Sequence, residues 1–371
     1  MDISVLDSNR NLVGIIDSFE SFIWTERFDK CGDFELVVAP STDLLDLLQQ
    51  DRYLTIPDSE YVMVIEKHEL TTDSVSGNRF MVSGRSVESL LDRRIIEFFA
   101  EMHGSTQGSI LWLLDDHVCY PKNTWRTIPE IVDTKSTDPR VIAPTYVGET
   151  TGENLYDVIC SLCKMSGLGF KMPLDSNNKF NFTLYMGQDR SYAQDVNPYV
   201  VFSPEFDNLI NSNYLESNQP LKTLARVGGI GDGYDRWFAN IAIGGGAGLL
   251  RREIFIDAKD IKYELEPATQ TTDPETGDVI EDTPAVTLSD EEYNTLLKER
   301  GREKLAEHKA AQSFEGKAEN LRMFTYGADY FMGDTIQFKD IYGIEVSAKV
   351  VEFVRSYSSS GIDLYPSFNV I

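Results

Sequence analysis

The C-terminal stretch constrains the fold most, because three of its runs alternate apolar and polar residues between glycine-containing turns. These runs span residues 326–338, 343–357 and 360–371. Alternation with a period of two predicts strands that bury one face, and the glycines favour tight reversals between them. We therefore predict a β-meander. The stretch carries no catalytic motif, which favours a structural, assembling protein over an enzyme.

The length of 371 residues allows a large hydrophobic core and favours more than one domain. Hydrophobic residues make up 42% of the chain and charged residues 25%, which is ordinary for a globular protein. The sequence lacks a run of about 18 apolar residues, and its N-terminus lacks the basic and apolar regions of a secretory signal. We therefore expect synthesis in the cytoplasm and no stable membrane insertion.

Cysteines are sparse, which fits a reducing cytosol better than a disulfide framework; they are Cys31, Cys119, Cys160 and Cys163. Cys160 and Cys163 form a C-x-x-C motif that can serve redox or metal chemistry. A second ligand pair at metal spacing is missing, and apolar residues at helical spacing surround the motif. Buried small hydrophobes are therefore the preferred interpretation of these two thiols.

The formal net charge of −26 is the unusual feature of the composition. Sixty acidic against 34 basic residues argue against a nucleic-acid-binding groove, which needs Lys and Arg to displace counterions. Residues 263–297 contain ten acidic residues and no Lys or Arg. A solvated excursion is the preferred interpretation of this segment, and cation binding is the alternative. A surface that repels DNA would also suit a conduit through which DNA slides without specific binding.

The pattern of runs and turns predicts an α+β, mainly β fold with two related sheet-rich modules and two excursions. Residues 1–98 form the first β domain, and residues 99–200 form a mixed α+β insertion. The second β domain comprises residues 201–262 and 313–371, interrupted by an acidic hairpin and helix at 263–312.

Four local signals support this division. Residues 153–167 read as a helix that ends at Gly167. The pattern of Ser289 and Glu292 is a capping box at the start of a helix that reaches about Ala311. Turns are predicted at 76–78 and 273–277.

Other candidate chemistry is weak. Asp115, Asp116 and His117 are compatible with a fragment of a metal site, but no His pair at ligand spacing supports it, so a charge cluster at a helix end is preferred. Residues 83–86 lack the G-x-S-x-G pattern of a nucleophile and read as a strand-to-helix turn. The abundance of carboxylates makes any single pair uninformative. We assign no catalytic, cofactor-binding or metal residue.

Two glycine clusters, at 228–233 and 244–248, follow strand-like segments but match neither G-x-G-x-x-G nor a P-loop. Loops between adjacent strands are the plain interpretation, and flexible loops at a subunit contact are the functional one. The aromatic content of 11% could furnish a sugar platform, although core or interface positions explain it better.

Several segments resemble the baseplate hub proteins of siphophage tail tips, a family also described as the hub part of tail-associated lysins. The resemblance runs through nearly the whole chain, in the segments 12–38, 62–70, 82–96, 208–229, 326–338 and 365–370. Residues 100–200 and the acidic excursion are the least similar parts. Longer relatives add a C-terminal lysin domain, and since this chain stops at Ile371 we expect that activity to be absent.

The resemblance implies a fold like the hub of contractile-tail baseplates, with two barrel-like tube domains of antiparallel strands, each interrupted by an insertion. It implies a homotrimer whose six similar domains form a ring at the tail tip of the virion. The implied partners are the distal tail protein ring, the tape-measure protein, receptor-binding or fibre proteins, and genomic DNA that passes through the lumen. The expected role is to end the tail tube, adapt sixfold to threefold symmetry and gate DNA.

Two other functions remain open from the sequence alone. One is an enzyme that degrades cell-wall polymer through an unrecognised carboxylate pair. The other is a receptor-binding module that recognises host glycans through exposed aromatic side chains. A non-enzymatic hub is the preferred hypothesis.

Overall fold

The structure is a computed structural model, and it forms two compact units. The first comprises residues 1–213 and 314–371, and the second comprises residues 214–313. The residues that the structure describes are 1–73, 77–244, 247–266, 269–272, 279–283, 286–318, 323–359 and 361–370. The predicted turns at 76–78 and 273–277 therefore lie wholly or partly outside the described residues.

The N-terminal part of the first unit is strand-rich, as its alternation predicted. A side-chain cap begins its short helix, because the Ser41 hydroxyl accepts a hydrogen bond from the Leu44 amide at 3.2 Å. The elements are β1 (Ile3–Leu6), β2 (Leu12–Ile16), β3 (Ser21–Arg27), β4 (Asp33–Val38), α1 (Thr42–Leu47), β5 (Tyr53–Thr55), β6 (Met63–Asp73) and β7 (Gly77–Ser86). A 3₁₀ helix follows strand β7, at Val87–Arg93.

The following segment mixes helices and small sheets. Its main helix begins where the Asn154 side chain accepts from two backbone amides, and it ends at Gly167 with a φ of 68°, as predicted. A π-helical turn at Asp115–Cys119 extends the helix before it. The elements are β8 (Ala100–Ser105), α2 (Thr106–Leu114), β9 (Ile131–Thr134), α3 (Pro139–Ile142), β10 (Thr145–Thr150), α4 (Leu155–Ser166), β11 (Gly169–Lys171) and β12 (Phe180–Tyr185).

The second unit packs a long helix on a three-stranded sheet. Two strands lead towards it, β13 (Val201–Phe202) and β14 (Leu209–Ser217). The unit itself contains β15 (Leu224–Gly228), β16 (Phe238–Ala242), β17 (Glu253–Asp257), β18 (Glu264–Glu266), β19 (Thr269–Thr272), β20 (Val279–Thr283), β21 (Val286–Thr287) and α5 (Asp290–Glu307).

The predicted capping box starts helix α5. The Ser289 hydroxyl accepts from the Glu292 amide at 3.3 Å, and the Glu292 carboxylate accepts from the Ser289 amide at 2.9 Å. The helix ends at Glu307 rather than at Ala311, because Ala311 already belongs to the next strand. Tertiary pairing therefore overrides the helix propensity of the alanines there.

The C-terminal strands are β22 (Ala311–Ala318), β23 (Thr335–Lys339), β24 (Glu345–Ser358) and β25 (Gly361–Val370). The antiparallel pairing of β23 with β24 and of β24 with β25 confirms the predicted meander. The first predicted run differs in part, since residues 326–332 form turns before β23 begins. Gly327 and Gly333 adopt positive φ angles of 85° and 88° in these turns, which explains the break in the strand.

One large sheet joins both ends of the chain, because β24 pairs with β3 as well as with β25. Its strand order in the described residues is β14-β22-β25-β24-β3-β4-β7-β6-β5-β1-β2, with β23 pairing β13 and β24 at the side. This order is open at β2, and the pairings in the described residues close no barrel. The mainly β class is confirmed, whereas the division into four domains stays a prediction.

Two further properties bear on the later argument. In the part of the chain that the structure describes, no helix combines the length and apolarity required to span a membrane. The hydrophobic core that includes Phe170 and Phe182 also contains Val62 and Leu91, so the 99–200 segment shares apolar contacts with the N-terminal part of the chain.

Candidate assembly surfaces

A buried ion pair fixes the junction of the N-terminal and C-terminal strands in the first unit. Glu26 on β3 is 2% exposed and Arg355 on β24 is 5% exposed, and their side chains form a direct ion pair. Glu26 also accepts hydrogen bonds from Ser59 at 2.5 Å and Tyr326 at 3.1 Å. Arg355 donates to the Asp58 carbonyl at 2.8 Å. These partners offset the cost of removing both charges from water.

Buried tyrosines complete this cluster. The Tyr61 hydroxyl donates to the Arg27 carbonyl at 3.1 Å, and the Tyr326 ring stacks on Phe353 with centroids 3.9 Å apart. Burial raises the pKa of Tyr61 and of Tyr326 well above the ordinary phenol value, so both stay protonated donors at neutral pH. The cluster therefore holds strands β3 and β24 in register.

The two cysteines of the C-x-x-C motif differ in burial. Cys163 is fully buried in the hydrophobic core that includes Phe170, as predicted, whereas Cys160 is only partly buried. Burial raises the pKa of Cys160 to about 12 and also raises the pKa of Cys163. Both remain neutral thiols at physiological pH, which disfavours metal ligation and redox exchange.

The cluster around Asp115 contains residues that the sequence did not single out. Ligand atoms of Asp115, Cys119 and Asp133 lie within 4.8 Å of one another. His117 is buried, but its Nδ1 lies 3.9 Å from Asp116, too far for a hydrogen bond. The only sequence signal was the four-residue spacing of Asp115 and Cys119 on one helix face.

The raised pKa values of two of these side chains explain the cluster without a metal ion. Burial raises the pKa of Cys119 to about 12, and burial together with Asp133 raises the pKa of Asp115. The Cys119 thiol donates to the Ile131 carbonyl at 3.7 Å. A neutral thiol and a carboxyl whose pKa is raised make a weaker ligand set than a thiolate with an ordinary carboxylate.

The first glycine cluster is shaped by packing in the second unit. A Cβ at Gly228 would lie 2.7 Å from the Arg236 guanidinium carbon, and one at Gly229 would lie 2.4 Å from the Tyr293 hydroxyl. Gly231 has a φ of 89°, which a turn of this kind requires. These glycines thus allow close packing between strand, turn and helix α5. In the second cluster, residues 245 and 246 lie outside the described residues.

An apolar edge is exposed on the first unit. Strand β2 pairs with β1 and ends the order of the large sheet. Its Leu12, Val13 and Ile15 side chains are exposed. An apolar edge strand offers unpaired backbone groups and apolar surface, which favours association with another chain.

A groove of about 950 Å³ crosses another part of the same sheet. Its lining mixes the carboxylates Glu20, Glu35 and Glu69 with the aromatic Tyr357. Arg79 also lines the groove and forms an ion pair with Glu20 at 3.3 Å. Sequence reasoning did not indicate this groove, because its lining comes from strands that are distant in the chain.

The family model of the siphovirus ReqiPepy6 Gp37-like proteins matches residues 2–368. The chain belongs to this family. The resemblance to a siphophage tail family is thereby confirmed. No curated protein matches the chain.

Three solved structures share the fold of this siphovirus Gp37-like protein. The prophage tail protein gp18 from Listeria monocytogenes EGD-e is 12% identical, with a TM-score of 0.53, over 99% of this chain and 94% of that chain. The 43 kDa tail protein of prophage MuSo2 from Shewanella oneidensis is 10% identical, with a TM-score of 0.56, over 99% and 98%. The tail protein from Neisseria meningitidis MC58 is 12% identical, with a TM-score of 0.55, over 99% and 95%.

At these identities the likeness concerns the fold. Family and fold together support a structural component of a phage tail, which favours a non-enzymatic protein. For such a component, the surfaces that contact other chains are the functional sites.

Proposed function

We propose that this Gp37-like protein is the structural baseplate hub at the distal end of a long non-contractile phage tail. It ends the tail tube, sits against the distal tail protein ring and contacts the tape-measure protein, with receptor-binding or fibre proteins nearby. The observation that carries the proposal is the family match over residues 2–368. The fold shared with the Shewanella tail protein over 99% of this chain supports it.

In the proposed hub, three copies form a closed ring. Each copy contributes two barrel-like modules, residues 1–98 and residues 201–262 with 313–371, so that six similar modules match a sixfold ring above. The insertions at 99–200 and 263–312 narrow the lumen until DNA passes. The exposed apolar edge of β2 supports association between chains.

The charge of the chain supports a conduit for DNA. A net charge of −26 repels phosphate, so DNA crosses the lumen without a specific binding site. Such a role needs no catalytic group. The buried Glu26–Arg355 pair serves it by holding the strands in register.

The mass of the purified assembly, with negative-stain images, tests this proposal. We expect a particle of three chains with a central hole, and a complex with the distal tail protein. A stable monomer at micromolar concentration, without rings in the images, would contradict the hub. Turnover of purified peptidoglycan that is abolished by a single Asp or Glu substitution would instead support the enzyme hypothesis.

A further inference from the structure

Among the residues that the structure describes, one face of the three-stranded sheet in the second unit is uncovered. Its strand order is β16-β15-β17, and α5 covers the side on which Ala225, Val227 and Ile256 are buried. The alternate residues lie on the other side, where Phe238 is 40% and Phe255 is 55% exposed. Two large aromatic side chains on an uncovered face indicate a contact surface.

Arg236 is fixed across this face. Its guanidinium donates to the carbonyls of Gly228 at 2.9 Å and Gly229 at 3.1 Å, and it pairs with Asp257 at 2.5 Å. It lies 5.4 Å from the Phe255 ring centroid and 5.8 Å from that of Phe238. Because Gly228 has no Cβ, the guanidinium can lie directly on the sheet.

Arg226 lies on the same face as Arg236, but its positive charge is not paired with a carboxylate of the described residues. Its register partners are Asn240 and Phe255, and its guanidinium lies 4.2 Å from the Phe238 centroid. It is exposed and makes no ion pair or hydrogen bond to any residue that the structure describes. An arginine held on an aromatic ring keeps its planar donors free for a carboxylate.

Charge is separated along the sequence of this unit. Residues 219–252 contain five basic and two acidic residues, in a chain whose net charge is −26. Residues 263–292 contain ten acidic and no basic residues. We name residues 263–292 the acidic segment, and we name the exposed group of Arg226, Arg236, Phe238 and Phe255 the arginine face.

The base of the acidic segment lies on the helix side of the sheet in the second unit. The Leu288 amide donates to the Tyr263 carbonyl at 2.9 Å, which closes the base of the segment. Both residues pack against the core that α5 covers, and the Tyr263 ring lies 5.4 Å from that of Tyr293. In the described residues, β18–β21 pair only among themselves. The base therefore lies on the side opposite the arginine face.

We infer that the arginine face binds the acidic segment of a neighbouring copy of this chain. A second copy of so acidic a chain supplies many carboxylates, and this segment contains them without competing cations. The contact joins different surfaces of two copies, and a contact of this type builds a ring when the rotation between copies closes. This inference rests on the proposed homotrimer and names the contact that would build it.

Charge reversal tests the contact in the full chain. Arg226→Glu should raise the concentration at which the assembly forms by about tenfold or more, measured by light scattering over a dilution series. Lys122→Glu is the matched control, because it makes the same charge change at an exposed site in the first unit. The control should shift that concentration by less than about twofold. Raised salt should weaken the wild-type assembly.

Restored complementarity should rescue assembly. Glu281→Lys with Asp282→Lys reverses two charges on strand β20. This variant should assemble poorly alone, and its combination with Arg226→Glu should recover much of the wild-type behaviour. If Arg226→Glu matches Lys122→Glu while the wild type forms trimers, the inference is wrong and the hub stands.

A synthetic peptide of residues 263–292 separates the contact from the ring. Fluorescence anisotropy should detect its binding to the wild-type chain and a loss of about tenfold in affinity with Arg226→Glu. A monomeric wild type that binds the peptide through Arg226 would support the contact and overturn the trimer. Peptide binding that Arg226→Glu leaves unchanged would overturn the contact.

Discussion

Two arginines show how differently the two units use the same side chain. In the first unit, Arg355 is 5% exposed and paired with Glu26, so its charge is neutralised within the fold. In the second unit, Arg226 is exposed, rests on Phe238 and has no ionic partner among the described residues. The first arrangement specifies strand register, while the second leaves binding capacity for another chain. Stability and assembly should therefore respond to different substitutions.

The largest expected effect is on the buried pair. Arg355→Ala leaves the Glu26 carboxylate buried without its cation, which should lower the free energy of unfolding by about 3–5 kcal/mol. Urea denaturation of the full chain measures this. The double variant Glu26→Gln with Arg355→Met removes both charges and should be more stable than Arg355→Ala. Equal stability of the single and double variants would contradict the role of the ion pair.

An intermediate effect is expected at the core of the second unit. The Tyr293 hydroxyl accepts from the Ile230 amide at 2.8 Å and donates to the Ile261 carbonyl at 3.1 Å. Tyr293→Phe leaves both groups unsatisfied and should cost about 1–3 kcal/mol. Tyr234→Phe is a control because that side chain is exposed. Hydrogen exchange locates the loss of stability. A loss that is confined to the second unit would show that the two units unfold separately.

A smaller effect is expected from pH. Burial raises the pKa of the Cys160 thiol to about 12 from an ordinary value of 9.0, so the folded state retains a proton that the unfolded state loses. This contribution to stability is complete below pH 9 and is lost as the pH rises towards 12. Between pH 8 and 9.5 the free energy of unfolding should therefore fall further for the wild type than for Cys160→Ala. The difference should be about 1 kcal/mol or less. If the urea midpoints of the two proteins change equally with pH, the contribution of Cys160 is refuted.

The smallest effect on folding is expected at the exposed edge. Ile15→Lys on β2 should change the free energy of unfolding by less than about 0.5 kcal/mol, because the side chain is exposed. It should nevertheless reduce self-association, since a charge on an edge strand opposes pairing with another chain. Light scattering and urea denaturation of one sample separate the two outcomes. A large loss of stability would mean that Ile15 is part of the core.

Local features of the fold were predictable from the sequence, and long-range ones were not. The capping box of Ser289 and Glu292 and the end of a helix at Gly167 depend on neighbouring residues, so both were correct. Glu26 and Arg355 are 329 positions apart, and alternating strands do not reveal which strands pair. The contact between Arg226 and Phe238 likewise depends on the register of β15 and β16.

Sequence reasoning about sites was limited for the same reason. Asp133 joins Asp115 and Cys119 only because β9 lies beside the π-helical turn, which spacing cannot indicate. The glycine cluster that contains Gly228 and Gly231 was evident in the sequence. The packing of Gly228 against Arg236 and the left-handed turn at Gly231 are evident only in the three-dimensional structure. The family resemblance indicated the kind of protein without identifying its contact residues.

The pairing of β3 with β24 has a consequence for biosynthesis. It joins residues 21–27 to residues 352–358, so an early strand must wait on the ribosome until one of the last strands has emerged. Such a non-local pairing slows folding, because loop-closure entropy is lost before the contacts form. The central sheet of a nascent chain therefore stays incomplete until residue 358 has emerged. Premature incorporation of unfinished subunits into a growing virion is thereby disfavoured.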